Sequence, residues 1–142
     1  MKIVAKTDVG MVRESNQDSY TTGELPNGVA WAVVCDGMGG AAGGNVASST
    51  AVKVIAEQIT SSFRPGMSAN SIKNMMVSAI NAANISVYDI SCSNSELYGM
   101  GTTVVCAIVM EHIAYIAHAG DSRAYIVSHG ALTQLTRDHS VV

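Results

Sequence analysis

The elements readable along this chain of 142 residues predict an α+β fold, with an antiparallel sheet and helices packed on one of its faces. Short extended segments separated by turns come first, two stretches of helical hydrophobic period follow, and strand pairs joined by tight turns fill the remainder. The regular alternation of strand and helix that marks a doubly wound parallel sheet is absent.

Residues 2–9 and 19–23 read as short strands, separated by a polar loop over 10–17. Leu25-Pro26-Asn27-Gly28 is a turn, and residues 29–36 form a third strand that is apolar until Asp36. From Asn45 the period becomes helical: Ala47, Ala51, Val54, Ile55 and Ile59 share one stripe, which ends near Phe63 ahead of Arg64-Pro65-Gly66. A second amphipathic helix opens at Asn70 or Ser71, both able to cap. It aligns Ile72, Met75, Met76, Ala79, Ile80, Ala83, Val87 and Ile90. Residues 91–96 are a loop. Strands over 103–110 and 113–119 flank a two-residue turn at Glu111-His112, and strands over 124–127 and 132–135 flank Ser128-His129-Gly130-Ala131. No repeat, biased tract or linker divides the chain, so residues 1–142 read as one domain, large enough to bury a core.

Composition narrows the function classes. Hydrophobic residues make up 48% and mean hydropathy is +0.25, yet net charge is only −3 and the isoelectric point is near 5.7. A basic field for nucleic acid or an anionic membrane is missing. The first eight residues lack the apolar run of a signal peptide, and no segment is long enough to span a bilayer. Cys35, Cys92 and Cys106 lie far apart among apolar neighbours, which predicts buried thiols in a cytoplasmic protein.

The chemistry gathers around Asp36. A carboxylate ending a buried strand is costly to desolvate unless a positive charge sits on it. Gly37, Gly39, Gly40, Gly43 and Gly44 let the backbone approach that charge closely. With Asp18 at a loop–strand junction and Asp121 after another strand, the expected partner is a hard divalent cation, Mg²⁺ or Mn²⁺, at one edge of the sheet. Each aspartate alone also fits an ordinary turn or cap, least well for Asp36. Gly37-Met38-Gly39-Gly40-Ala41-Ala42 fits a dinucleotide fingerprint, with Glu57 twenty residues beyond Gly37. Asp36 would then stand where a pyrophosphate needs positive potential, and Glu57 falls inside the first helix, so the match is accidental. Arg13, in the loop before Asp18, is able to hold a phosphate by its fork, although spacing alone favours a surface arginine. Arg123 reads as structural. The histidines are scattered and have no serine or cysteine at readable spacing, so a nucleophilic triad is unsupported.

Thr7-Asp8-Val9-Gly10-Met11-Val12-Arg13-Glu14-Ser15-Asn16-Gln17-Asp18 resembles the opening motif of the metal-dependent Ser/Thr protein phosphatases of type 2C (the PPM family) in their bacterial form. Asp36-Gly37-Met38-Gly39-Gly40 resembles that family's Asp-Gly-x-Gly-Gly signature. Gly101-Thr102-Thr103, Ala119-Gly120-Asp121-Ser122-Arg123-Ala124-Tyr125 and Leu135-Thr136-Arg137-Asp138-His139-Ser140 match further motifs in the family's order.

The resemblance implies an antiparallel β-sandwich flanked by helices, the αββα four-layer arrangement. It implies a site in which Asp18, Asp36 and the Gly37 carbonyl hold two Mn²⁺ or Mg²⁺ ions, Asp36 bridging them, with Asp121 on a weaker third ion and Arg13 on the substrate phosphate. The implied reaction is hydrolysis of phosphoserine and phosphothreonine in proteins by metal-activated water. Some members carry a histidine acid after Asp-Gly; here Met38 takes that place. The implied partners are phosphorylated proteins, such as substrates of a Ser/Thr kinase.

The family's domain is longer and draws further metal-binding aspartates from its C-terminal half, whereas no acid follows Asp138 here. The expectation is therefore the N-terminal portion of such a domain, an incomplete sandwich, weak or inactive alone. Its open sheet edges would be covered by a homodimer. The competing expectation is a non-catalytic relative serving as a binding or oligomerisation module.

Overall fold

The computed structural model describes residues 1–40 and 42–140. The tight connection at Pro26–Gly28, with Asn27 and Gly28 both at positive φ, folds β1 (Asp18–Leu25) back on β2 (Val29–Met38) as an antiparallel pair. Two helices follow, α1 (Gly43–Ser62) and α2 (Ala69–Ser93), and then short β3 (Gly101–Thr102), β4 (Val104–Val109) and β5 (Ala114–Ala119). The main sheet runs β1-β2-β4-β5, with β3 pairing the end of β2, and every pairing is antiparallel. A separate hairpin joins β6 (Tyr125–Ser128) to β7 (Ala131–Gln134). This is the α+β architecture that the order of elements predicts. The antiparallel β2–α1 junction also removes the parallel βαβ unit that a dinucleotide fingerprint requires.

The core lies between one face of the sheet and the helices. Val33, Cys35, Cys106 and Ile108 are fully buried against Ala47, Ile55, Ile59, Met76 and Ala79, so both predicted helical stripes face inward. On the opposite face, the register aligns Tyr20 with Val34, Val105 and His118, and Thr22 with Ala32, Ala107 and Ile116.

Some expectations are corrected. Residues 2–9 are not a strand. Ile3, Val4 and Thr7 instead flank a shallow cleft over the outer face at Tyr20 and Val34, lying across the sheet rather than pairing along its β1 edge. The second helix is capped by Ser68, whose hydroxyl accepts from the Ser71 amide, instead of by Asn70 or Ser71, and it continues through Ser93 into the stretch expected as a loop. Cys92, on the solvent side of α2, is exposed, whereas Cys35 and Cys106 are buried. In the last hairpin the turn tightens onto His129 and Gly130, both at positive φ, as the twist of a two-residue connection demands.

Candidate functional site

Once the turn at 26–28 is set, the register of β1 and β2 leaves no freedom at their far ends: Asp18 falls directly opposite Asp36. Opposed residues of an antiparallel pair share a face, so two carboxylates are brought side by side, an arrangement that is unfavourable without a counter-charge. The polar loop before β1 closes around them. Asn16 accepts from the Asp18 amide at 3.0 Å and donates to the Thr7 hydroxyl at 2.5 Å, while Asp8 accepts from the Gly10 amide at 2.7 Å. Together Asp8, Arg13, Ser15, Asn16, Asp18, Asp36 and Gly37 line a polar cleft of about 200 Å³. A larger cleft, about 670 Å³ between Pro26, Phe63 and Met110, lies at the other end of the strands, away from these acids.

Two of the glycines after Asp36, Gly37 and Gly44, sit where chain packs closely on chain. The Gly37 amide donates to the Gln17 carbonyl at 3.0 Å, and a Cβ on Gly37 would run into the Gly44 carbonyl at the start of α1. A Cβ on Gly44 would in turn meet the Gln17 side chain at 2.5 Å. The close approach is thus of chain to chain: loop, strand end and helix start are pressed together, which aims Asp36 into the cleft on the opposite side of β2.

Electrostatics single out Asp36. Its carboxyl is held above the usual carboxylate range, first by burial, then by a hydrogen bond and like charge from Asp18 and by the charge of Asp121, with Arg13 opposing. The structure therefore brings Asp18, Asp36, Gly37 and Arg13 to one cleft. Asp121 acts on Asp36 through its charge but does not line the cleft. Among the described residues, no group of three or more histidine, cysteine or acidic side chains is placed to hold a metal ion.

Other residues fall outside the cleft. Arg123 forms a forked pair with Asp138 at 2.7 and 2.9 Å, in keeping with its structural reading. His118 and His139, scattered in sequence, stack with ring centroids 4.6 Å apart, and the Gly120 amide donates to Nδ1 of His139 at 3.3 Å. Sequence reasoning placed Thr103 and Ser122 within motifs but gave neither a role. Thr103 accepts from the Asp36 amide at 3.0 Å, and its hydroxyl lies 2.5 Å from that of Ser122. The signal available was the Thr102-Thr103 pair standing directly ahead of the apolar strand that begins at Val104.

Comparison with known proteins gives these residues a context. The family model for protein phosphatase 2C matches residues 12–141. A putative protein phosphatase 2C-type of Streptococcus pyogenes serotype M6 is 37% identical over 143 residues, covering 100% of this chain and 56% of the relative. The solved structure of the S. agalactiae serine/threonine phosphatase superposes with a TM-score of 0.85 at 33% identity, over 96% of this chain and 55% of that one. The catalytic domain of the serine/threonine protein phosphatase PstP, in complex with 2 manganese ions, superposes at 0.77 with 31% identity, over 94% of this chain and 54% of that one. The chain spans about half the length of the relatives it matches. No helix among the described residues is long and apolar enough to cross a membrane. With a family model matching nearly the whole chain, relatives above 30% identity and a fold that superposes on theirs, the chain belongs to the protein phosphatase 2C family.

Proposed function

We propose that this chain contributes to metal-dependent hydrolysis of phosphoserine and phosphothreonine in proteins, with Asp18, Asp36 and the Gly37 carbonyl holding Mn²⁺ or Mg²⁺ and Arg13 holding the phosphate. The observation that carries the reading is the meeting of Asp18 and Asp36 at opposed positions of β1 and β2. The Asp36 carboxyl is pressed against Asp18 within charge reach of Asp121, on a cleft that also presents Arg13. Oxygen donors of this kind suit a hard divalent cation, whose charge would offset that of the two opposed carboxylates.

When bound, the divalent ions activate water for attack on phosphorus and offset the phosphoryl charge. The chain's own residues do the rest. The Arg13 guanidinium takes two phosphate oxygens in its fork and orients the ester across the cleft. Asp18 and Asp36 would present their carboxylate oxygens to the ions from opposed positions of β1 and β2. Met38, following Asp36-Gly37, offers no proton, so the leaving serine or threonine oxygen takes its proton from water or another group. Asp121 serves a more weakly held third ion.

Residues 1–142 are read as the N-terminal portion of a single catalytic domain, with weak turnover when isolated. The substrates are phosphorylated proteins, including those modified by a Ser/Thr kinase. The alternative, a binding or oligomerisation module, is favoured by the exposure of Tyr20 and Val34 on the outer face of the sheet. That face would suit a homodimer.

Calorimetric manganese titration with p-nitrophenyl phosphate turnover on the same sample, for the native chain and Asp36→Asn, tests the reading. Binding in the native chain that Asp36→Asn loses is the expected result. Equal binding by both overturns the metal assignment. No binding and no turnover by a stable dimer would favour the module.

A further inference from the structure

We infer that Thr103 is a positioning residue that sets Asp36 and the Asp121 loop relative to each other, through a hydroxyl that replaces a rung of the β-ladder. The inference rests on the metal-binding reading of Asp36 given above.

The register on either side makes the replacement visible. β2 pairs β3 with Gly37 opposite Thr102, and it pairs β4 with Val34 opposite Val105. The same register puts Thr103, the residue between β3 and β4, opposite Asp36. An ordinary hydrogen-bonded antiparallel pair exchanges two N–H to carbonyl bonds. Here one is ordinary, the Thr103 amide donating to the Asp36 carbonyl at 2.9 Å. In the other, the Asp36 amide donates to the Thr103 hydroxyl at 3.0 Å, and the Thr103 carbonyl is taken by the Thr102 hydroxyl at 2.8 Å. Asp36 is thus gripped at both backbone atoms by one residue, itself only 5% exposed.

The same hydroxyl reaches the second acidic loop. Thr103 Oγ1 lies 2.5 Å from Ser122 Oγ, next to Asp121. Having accepted from the Asp36 amide, Thr103 Oγ1 has its proton free to donate to Ser122, or it accepts a second bond from that hydroxyl. The Thr103 methyl adds a steric stop: a Cβ on Gly120 would approach it at 2.8 Å, so the backbone preceding Asp121 rests directly on Thr103. A plain ladder carbonyl would fix Asp36 alone. The side-chain hydroxyl fixes Asp36 and the Asp121 loop through one buried atom, and the two carboxylates whose charges meet at Asp36 share that support.

The test compares Thr103→Val, which keeps the shape and removes the hydroxyl, with Thr103→Ser, which keeps the hydroxyl. Ile108→Val, a buried change remote from the site, and Asp36→Asn serve as controls. Manganese affinity is read by calorimetry on the whole chain, and folding by circular dichroism and melting. Thr103→Val is expected to weaken manganese binding roughly 10-fold or more. Thr103→Ser should stay near native, and Ile108→Val should lose stability with affinity unchanged.

Native-like affinity in Thr103→Val, alongside loss in Asp36→Asn, overturns the inference and leaves Thr103 as packing. Native-like affinity in Asp36→Asn sinks the metal reading instead. Exchange protection of the Asp36 amide, expected to fall in Thr103→Val and persist in Thr103→Ser, then decides the clamp on its own. Should Thr103→Val fail to fold, Ser122→Ala removes the other hydroxyl and is expected to give a smaller loss of affinity; an unchanged value there counts against the link.

Discussion

On the inner face of the main sheet, Trp31, Val33, Cys35, Cys106 and Ile108 are buried beneath α1 and α2, while on the outer face of the same strands Tyr20 and Val34 remain 41% and 48% exposed. The residue types differ little. What differs is whether another layer packs on them, so hydrophobicity in a strand records a capacity for burial that only a partner realises. The acidic cleft exploits the contrast at the end of β2. Gly37 faces the crowded side, where α1 leaves no room for a side chain, and Asp36 faces the open side, where a ligand has access.

The largest expected effect tests this asymmetry directly. Ile108→Ala opens a cavity in the covered face and should cost about 3 kcal/mol in chemical denaturation, whereas Val34→Ala on the open face should cost about 0.5 kcal/mol. Equal costs would mean that the outer face is covered in solution, as in a dimer. A sharper, chemical version uses the thiols. Burial pushes the Cys35 thiol up to about 12 and Cys106 up to about 11, so neither supplies thiolate near neutral pH, while Cys92 stands in solvent. Iodoacetamide followed by peptide mass spectrometry should modify Cys92 alone in the native protein and all three cysteines after unfolding.

The smallest effect concerns the exposed pair beside the last hairpin. The Arg123 guanidinium holds the Asp138 carboxyl below its ordinary value. A carboxyl lowered on folding adds stability that is fully present above the unfolded value of about 3.9 and is lost as pH falls through the folded one. The melting difference between the native chain and Asp138→Asn should therefore be small at neutral pH and vanish in acid. A difference that grows in acid would contradict the pairing.

The helical stripes on α1 and α2, the apolar strand leading into Asp36 and the hairpins were legible because each is a repeat or junction of near neighbours. The meeting of Asp18 with Asp36 was half legible: the hairpin turn is local, but its register had to be counted out to the far end. The absent strand over 2–9, the His118–His139 stack and the Thr103 hydroxyl in place of a ladder carbonyl were not legible. Each depends on which remote backbone lies alongside.

The sequence by itself determined the α+β class and the family, and singled out the acidic residues proposed to hold metal, since motifs, periods and turn residues are local properties of the chain. The tertiary structure alone decided which apolar face is covered, that the glycines pack chain against chain, and that one threonine ties two acidic loops together. Those outcomes turn on distances of a few ångströms between residues far apart in sequence, where close packing and hydrogen-bond pairing are settled only once the layers meet.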